Sequence, residues 1–147
     1  MTPAALAEYL HHNIPLTRAM DITVLEASVD QVMLSAPLAP NLNMHGTMFG
    51  GSVGTLALTA AWSLLHLRLE QAGLAAQLVV RRAATEYLQP VSGTAEAISR
   101  ANGMDWEGML HMLERRGKSR VTVTTDVRCN NVVAARLVGE FVAIKAR

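Results

Sequence analysis

The stretch Asn41–Thr59, NLNMHGTMFGGSVGTLALT, gathers most of the residues in this chain that could do chemistry. Gly50-Gly51-Ser52 opens a long apolar run. In a helix starting there, the first backbone N–H groups have no intrahelical acceptor, and the positive end of the dipole faces the preceding loop. Glycine, lacking a Cβ, lets a ligand approach that backbone closely. Such donors suit an oxygen on which negative charge develops, so the amide of Gly51, with that of Ser52, is the candidate oxyanion hole. The plainer alternative is a turn in which Ser52 caps the helix. His45 carries an imidazole, which titrates near neutrality and can serve as a general base; it can equally be a loop histidine bonded to backbone. The Asn43 carboxamide can orient a water or a carbonyl, or close an Asx-turn. Thr59 can hold a water or bond back to the carbonyl four residues earlier. Glu86 is a more distant candidate carboxylate, with a solvent-facing strand position as its alternative.

These residues need elements to hold them. Nothing charged lies between Asp30 and Arg68. Gly50–Leu67, 18 residues long, reaches the lower limit of a membrane span, and Gly46, Gly50 and Gly54 have the GxxxG spacing. However, the run also holds Ser52, Thr55, Thr59, Ser63 and His66 and has no basic flank on its N-terminal side. It reads instead as a buried helix, apolar all round, whose small residues let sheet backbone come close. The sheet follows. Val121, Val123, Thr125 and Val127 alternate with Thr122, Thr124, Asp126 and Arg128, a strand with one wet face. Asn130-Asn131 marks a tight turn, and Val132–Lys145 returns as a strand. Gln77–Val91, stopped by Pro90, and Gly93–Ala101 are further strands. Asp21–Ala27 and Gln31–Pro37 form a hairpin. Pro3–His12 and Asp105–Arg115 are helices, the second with Trp106, Met109, Leu110 and Leu113 on one stripe. The order predicts an α+β domain over residues 1–147, one antiparallel sheet around one central helix.

Composition narrows the function classes. The formal net charge of +1 and the six scattered aromatics argue against a nucleic-acid surface or a base-stacking platform. One cysteine, Cys129, excludes an internal disulfide and suits a reducing cytoplasm. The N-terminal stretch has no basic segment followed by an apolar run, so no signal peptide is expected. His11, His12, His66 and His111 show no metal-ligand spacing, and no metal is expected. Arg81-Arg82 and the run Glu114–Arg120 could contact phosphates, or simply protect strand edges. Trp62, Leu64, Leu65, Met109 and Met112 are candidates for core or for a tunnel wall.

A hairpin, then N-x-N-x-H-G-T-M-F-G-G-S opening a long apolar helix, then a strand ending E-Y-L-Q-P-V, resembles a hotdog-fold thioesterase. SAPLAPNLNMHGTMFGGS (Ser35–Ser52) is the most specific part and is similar to a thioesterase family also found fused behind bacterial acetyltransferase domains. The resemblance spans Ile14–Ile144. It implies the hotdog fold, an antiparallel sheet wrapped around a long central helix. It also implies a homodimer or dimer of dimers with acyl-thioester sites at the subunit boundary. Coenzyme A or phosphopantetheine would enter only as part of the substrate, with no separate cofactor, nucleic acid or membrane. Catalysis would fall to Asn43, His45, Gly51, Ser52 and Thr59, and substrate contacts to Phe49, Gly50, Arg81, Arg82, Glu86 and Tyr87. One departure stands out. Related hydrolases carry an Asp or Glu seven residues after the second glycine, and here that position is Leu58. The next carboxylate on the run, Glu70, lies about 28 Å from Gly51 along a helix. The resemblance therefore implies either a thioester hydrolase with a relocated base, acting by direct water attack, or a module that binds acyl thioesters without cleaving them.

Overall fold

A computed structural model describes all residues, 1–147. Helix α1 (Pro3–Asn13) starts at Thr2, whose side chain accepts the Ala5 amide at 3.1 Å, with Pro3 at the first helical position. A short α2 (Pro15–Ala19), not read from the sequence, follows at once. Strands β1 (Thr23–Ala27) and β2 (Gln31–Ala36) form the expected hairpin. A 3-10 turn at Ala39–Asn41 leads to α3 (Gly50–Gln71). Then come β3 (Ala76–Tyr87), β4 (Ala95–Arg100), α4 (Trp106–Arg116), β5 (Lys118–Cys129) and β6 (Val132–Lys145). The strands make one sheet in the order β1-β2-β4-β5-β6-β3, antiparallel throughout.

The local reasons are legible in the residues. The β5–β6 turn holds Asn130 and Asn131 at φ 52° and 64°, where asparagine is tolerated best after glycine. Along β5, Ser119 to Cys129 are buried at every second position. The Asp105 side chain caps α4 by accepting the Gly108 amide at 3.1 Å, and Gly117 ends it in the left-handed region, its N–H bonded to Leu113 O. Met109 and Leu113 of α4 join the same 31-residue core as Leu56, Ala57, Ala60, Ala61, Leu64 and Leu65 of α3.

Helix α3 touches β2, β3, β4, β5 and β6, so the sheet curls about it. Its enclosure is incomplete. Gly51 is exposed, and Gly54, Thr55, Leu58, Trp62 and His66 are only half-buried, a stripe along one side of the helix. That side faces edge strand β3, most of whose residues are exposed. The small residues also serve differently from expectation. Gly46 sits in the loop, and the group that approaches Gly50 and Gly54 is the Tyr87 side chain rather than sheet backbone. No helix is long and apolar enough to cross a membrane.

Candidate active site at the start of the central helix

The loop before α3 is closed by two asparagines. Asn41, 2% exposed, donates its side-chain N–H groups to Met20 O at 2.9 Å and Pro37 O at 2.8 Å, and its backbone oxygen accepts the Phe49 amide at 2.8 Å. Asn43 closes the inner turn. Its Oδ1 accepts the amides of His45 at 2.8 Å and Thr47 at 3.2 Å, and its Nδ2 donates to Thr47 Oγ1 at 2.9 Å and Met48 O at 3.4 Å. The Asn43 carboxamide is thus engaged within its own loop, in the Asx-turn arrangement. His45 stands exposed on that turn, next to Gly46 at φ 79°, and its imidazole makes no hydrogen bond within the chain.

Phe49 is extended, at φ −55° and ψ 132°, and precedes α3 without any side-chain cap. The amides of Ser52 and Val53 both donate to Phe49 O, at 2.9 and 3.1 Å. Those of Gly50 and Gly51 have no acceptor. The free pair is therefore Gly50 and Gly51, and two expectations need correction. The Ser52 amide is occupied and cannot serve the oxyanion, and Ser52 does not cap the helix because it already lies inside the first turn. Two aromatic rings frame the free amides. The Phe49 ring lies against Gly51, where any Cβ would run into it. Tyr87, at the end of β3, donates its hydroxyl to Gly50 O at 2.8 Å, and its ring would stand 3.5 Å from a Cβ at Gly50. Beside this frame is a mostly apolar cavity of about 300 Å³, walled by Met48, Val53, Tyr87, Leu88, Pro90 and Val91.

The other expected residues lie apart. Thr59 is 7% exposed and bonds back to Thr55 O at 2.7 Å. Leu58, at the position seven after Gly51, is half-buried on the open stripe. Glu86 alternates with Thr85 and Tyr87, so it faces away from α3 and stands across the ladder from Arg136. Arg136 is held by Asp126 at 2.8 Å, a bond that raises its pKa, with a smaller contribution from Glu86. Arg81, beside a bulge in β3, pairs with Glu140 at 2.8 Å, and Arg120 reaches the same oxygen at 3.4 Å. With Arg116 and Lys118 they line an open groove of about 1380 Å³ against α4. Members of both basic clusters thus share one groove, on the sheet face away from α3 and roughly 20 Å along β3 from Tyr87 at ~3.3 Å per residue. Arg82 is exposed and unpaired. Farther along α3, His66 stacks against both Tyr9 and Trp62, 4.8 Å from each ring centre, and those two rings are themselves 6.2 Å apart. Burial lowers its pKa below 6.5, against an opposing pull from Glu70.

The sequence reading missed Asn41, whose only signal is the first asparagine of N-x-N. It also missed the cavity walls, because Leu88-Gln89-Pro90-Val91 read as a strand end.

A roll of antiparallel strands around one helix, with the helix start laid open beside the edge strand, is the hotdog fold of thioesterases. The chain belongs to the family described as putative thioesterase (yiiD_Cterm), which matches residues 3–145. A putative thioesterase from Shewanella oneidensis is similar at 29% identity and a TM-score of 0.87, over 97% of this chain and 96% of that one. A protein of unknown function from Chlorobaculum tepidum matches at 25% identity and a TM-score of 0.90, over 99% and 98%. The fold extends to a thioesterase from Haemophilus influenzae at 16% identity and a TM-score of 0.77, over 99% and 92%. Family and fold together support thioesterase activity for this chain.

Proposed function

We propose that the chain hydrolyses acyl thioesters of coenzyme A or of a carrier protein by direct attack of water at the start of α3. The observation that carries this reading is the pair of unbonded amides, Gly50 and Gly51, on a helix start stripped of side chains. A thioester carbonyl set against them gains two donors and the positive dipole end as its oxygen becomes an oxyanion. His45, the one imidazole on the adjoining loop, takes the proton from water; the tetrahedral adduct then collapses and expels the thiolate, which recovers a proton. Asn43 acts through its neighbour, since its Oδ1 fixes the His45 amide. Phe49 and Tyr87 border the reacting carbon. Coenzyme A or phosphopantetheine enters only as substrate. A single buried thiol, Cys129, suits the cytoplasm.

A homodimer fits the same reading. The twelve residues of β3 present a free edge, with Val79 and Val80 41% and 43% exposed. Long apolar edges of this kind are ordinarily paired or blunted. Joining two β3 edges would make one continuous sheet and bring a second subunit against the open side of α3.

The second reading, a binder without turnover, is favoured by Leu58 at the usual carboxylate position and by the full engagement of Asn43. Release of free thiol from acyl-coenzyme A and acyl-phosphopantetheine substrates separates the two. Turnover is expected, and His45→Ala should lower kcat by about 10²–10⁴, the usual worth of a general base, with substrate binding retained. Calorimetric binding without thiol release from any substrate would leave the binding module standing alone.

A further inference from the structure

The cavity beside the first turns of α3 carries an inference about which acyl groups the protein accepts, and it rests on the thioester reading above. Its volume is about 300 Å³. Met48, Val53 and Val91 are 4%, 2% and 3% exposed, so these walls are fixed by the core. Leu88, 46% exposed, and Tyr87 form the outer side. Only Gln89 among the lining side chains is polar apart from the Tyr87 hydroxyl, and that hydroxyl is committed to Gly50 O. The cavity is therefore dressed for a hydrocarbon rather than for a polar head. It also lies where an acyl chain must begin. Met48 and Val53 bracket Phe49–Ser52 in the chain, and Tyr87 touches Gly50, whose amide is free. The size is limiting. At the ~30 Å³ a water molecule occupies in the liquid, the space holds roughly ten heavy atoms, the small end of ligand pockets. A chain of sixteen or eighteen carbons exceeds that space and would have to extend past Leu88 into solvent.

We propose that the cavity walled by Met48, Val53, Tyr87, Leu88 and Val91 is the acyl pocket, and that it favours short and medium acyl thioesters over long ones. Val53 is its floor on the helix, and Leu88 is its exposed outer wall.

The test is a series of straight-chain acyl-coenzyme A substrates from two to eighteen carbons, comparing wild type with Val53→Phe. Wild-type kcat/KM should peak between about four and ten carbons and fall at least ten-fold by sixteen. Val53→Phe, which fills the floor, should lower the ratio of octanoyl to acetyl kcat/KM at least ten-fold. Should Val53→Phe fail to fold, Leu88→Ala at the exposed wall replaces it. This variant should raise the ratio of dodecanoyl to hexanoyl kcat/KM about five-fold or more. A profile rising to sixteen or eighteen carbons overturns the assignment, as does a variant that scales all lengths equally. If wild type releases no thiol at any length, hydrolysis fails and the same series is read as affinity by calorimetry. A cutoff near ten carbons then still supports the pocket, and length-independent affinity overturns it.

Discussion

At the scale of single residues, the site is defined by what is left unbonded. Most polar groups near the start of α3 are committed: Asn43 to its loop, Thr59 to Thr55 O, the Ser52 amide to Phe49 O, the Tyr87 hydroxyl to Gly50 O. Two glycine amides and one imidazole are not. A side chain at Gly51 would collide with the Phe49 ring, whereas one at Gly50 meets Tyr87 at an ordinary 3.5 Å. Gly51→Ala should therefore lower kcat at least ten-fold, short of the ~10²–10³ cost of deleting a whole oxyanion donor, and should do more damage than Gly50→Ala. Equal losses in the two variants, measured by thiol release, would argue against a site built on the Gly51 amide. His66 gives a second prediction at this scale. Burial lowers its folded pKa, so as pH falls the unfolded chain binds the proton first. Its contribution is present above pH ~6.5 and is lost as pH falls through the folded pKa. The melting temperature should drop from pH 7.5 to pH 5.0 by more in wild type than in His66→Gln. Identical drops in calorimetry would remove His66 from the acid sensitivity.

At the scale of elements, turn chemistry sets the register that carries the site. The Asn130-Asn131 turn aligns β5 with β6, and β6 in turn holds β3, whose last residue, Tyr87, reaches Gly50. Both asparagines are in the left-handed region, which costs an ordinary residue about 1–2 kcal/mol. Asn131→Gly should raise stability by a few tenths of a kcal/mol to about 1, and Asn131→Val should lower it by ~1–2 kcal/mol, read from urea midpoints. Helix α3 shows the converse, an element whose start is left unsatisfied. With no side-chain cap at Phe49, the helix forgoes roughly 1 kcal/mol of capping and keeps two donors free for a ligand.

At the scale of the molecule, the open edge is β3. The pairing proposed for it predicts a dimer in sedimentation at micromolar concentration. Val79→Lys with Val80→Lys, which places charge on the edge, should shift the mass to the monomer and lower thioesterase activity. A wild-type mass of one chain at tens of micromolar would rule the pairing out. The basic groove meets this strand near its middle, at Arg81, on the face away from α3, and the acyl cavity lies at its Tyr87 end.

The sequence by itself determined the elements, α2 apart, and pointed to the start of α3 as the candidate site. Alternating burial in β5, the Asn-Asn turn, the stripe of α4 and the glycine-led apolar helix are all periodic or local signals, set by residues a few positions apart. The same locality showed that Leu58 stands where a carboxylate is usual. Only the tertiary structure decided which groups remain free. Ser52 loses its amide to Phe49 O, Asn43 spends its carboxamide on its loop, and Glu86 turns away from α3, because strand alternation and loop closure assign each hydrogen bond in three dimensions. The acyl cavity likewise joins Met48 and Val53 to Leu88 and Val91 across some forty residues of chain, and the basic groove joins Arg81 to Arg116–Arg120. Such contacts come from the curl of the sheet around α3, and no periodicity along the chain encodes them.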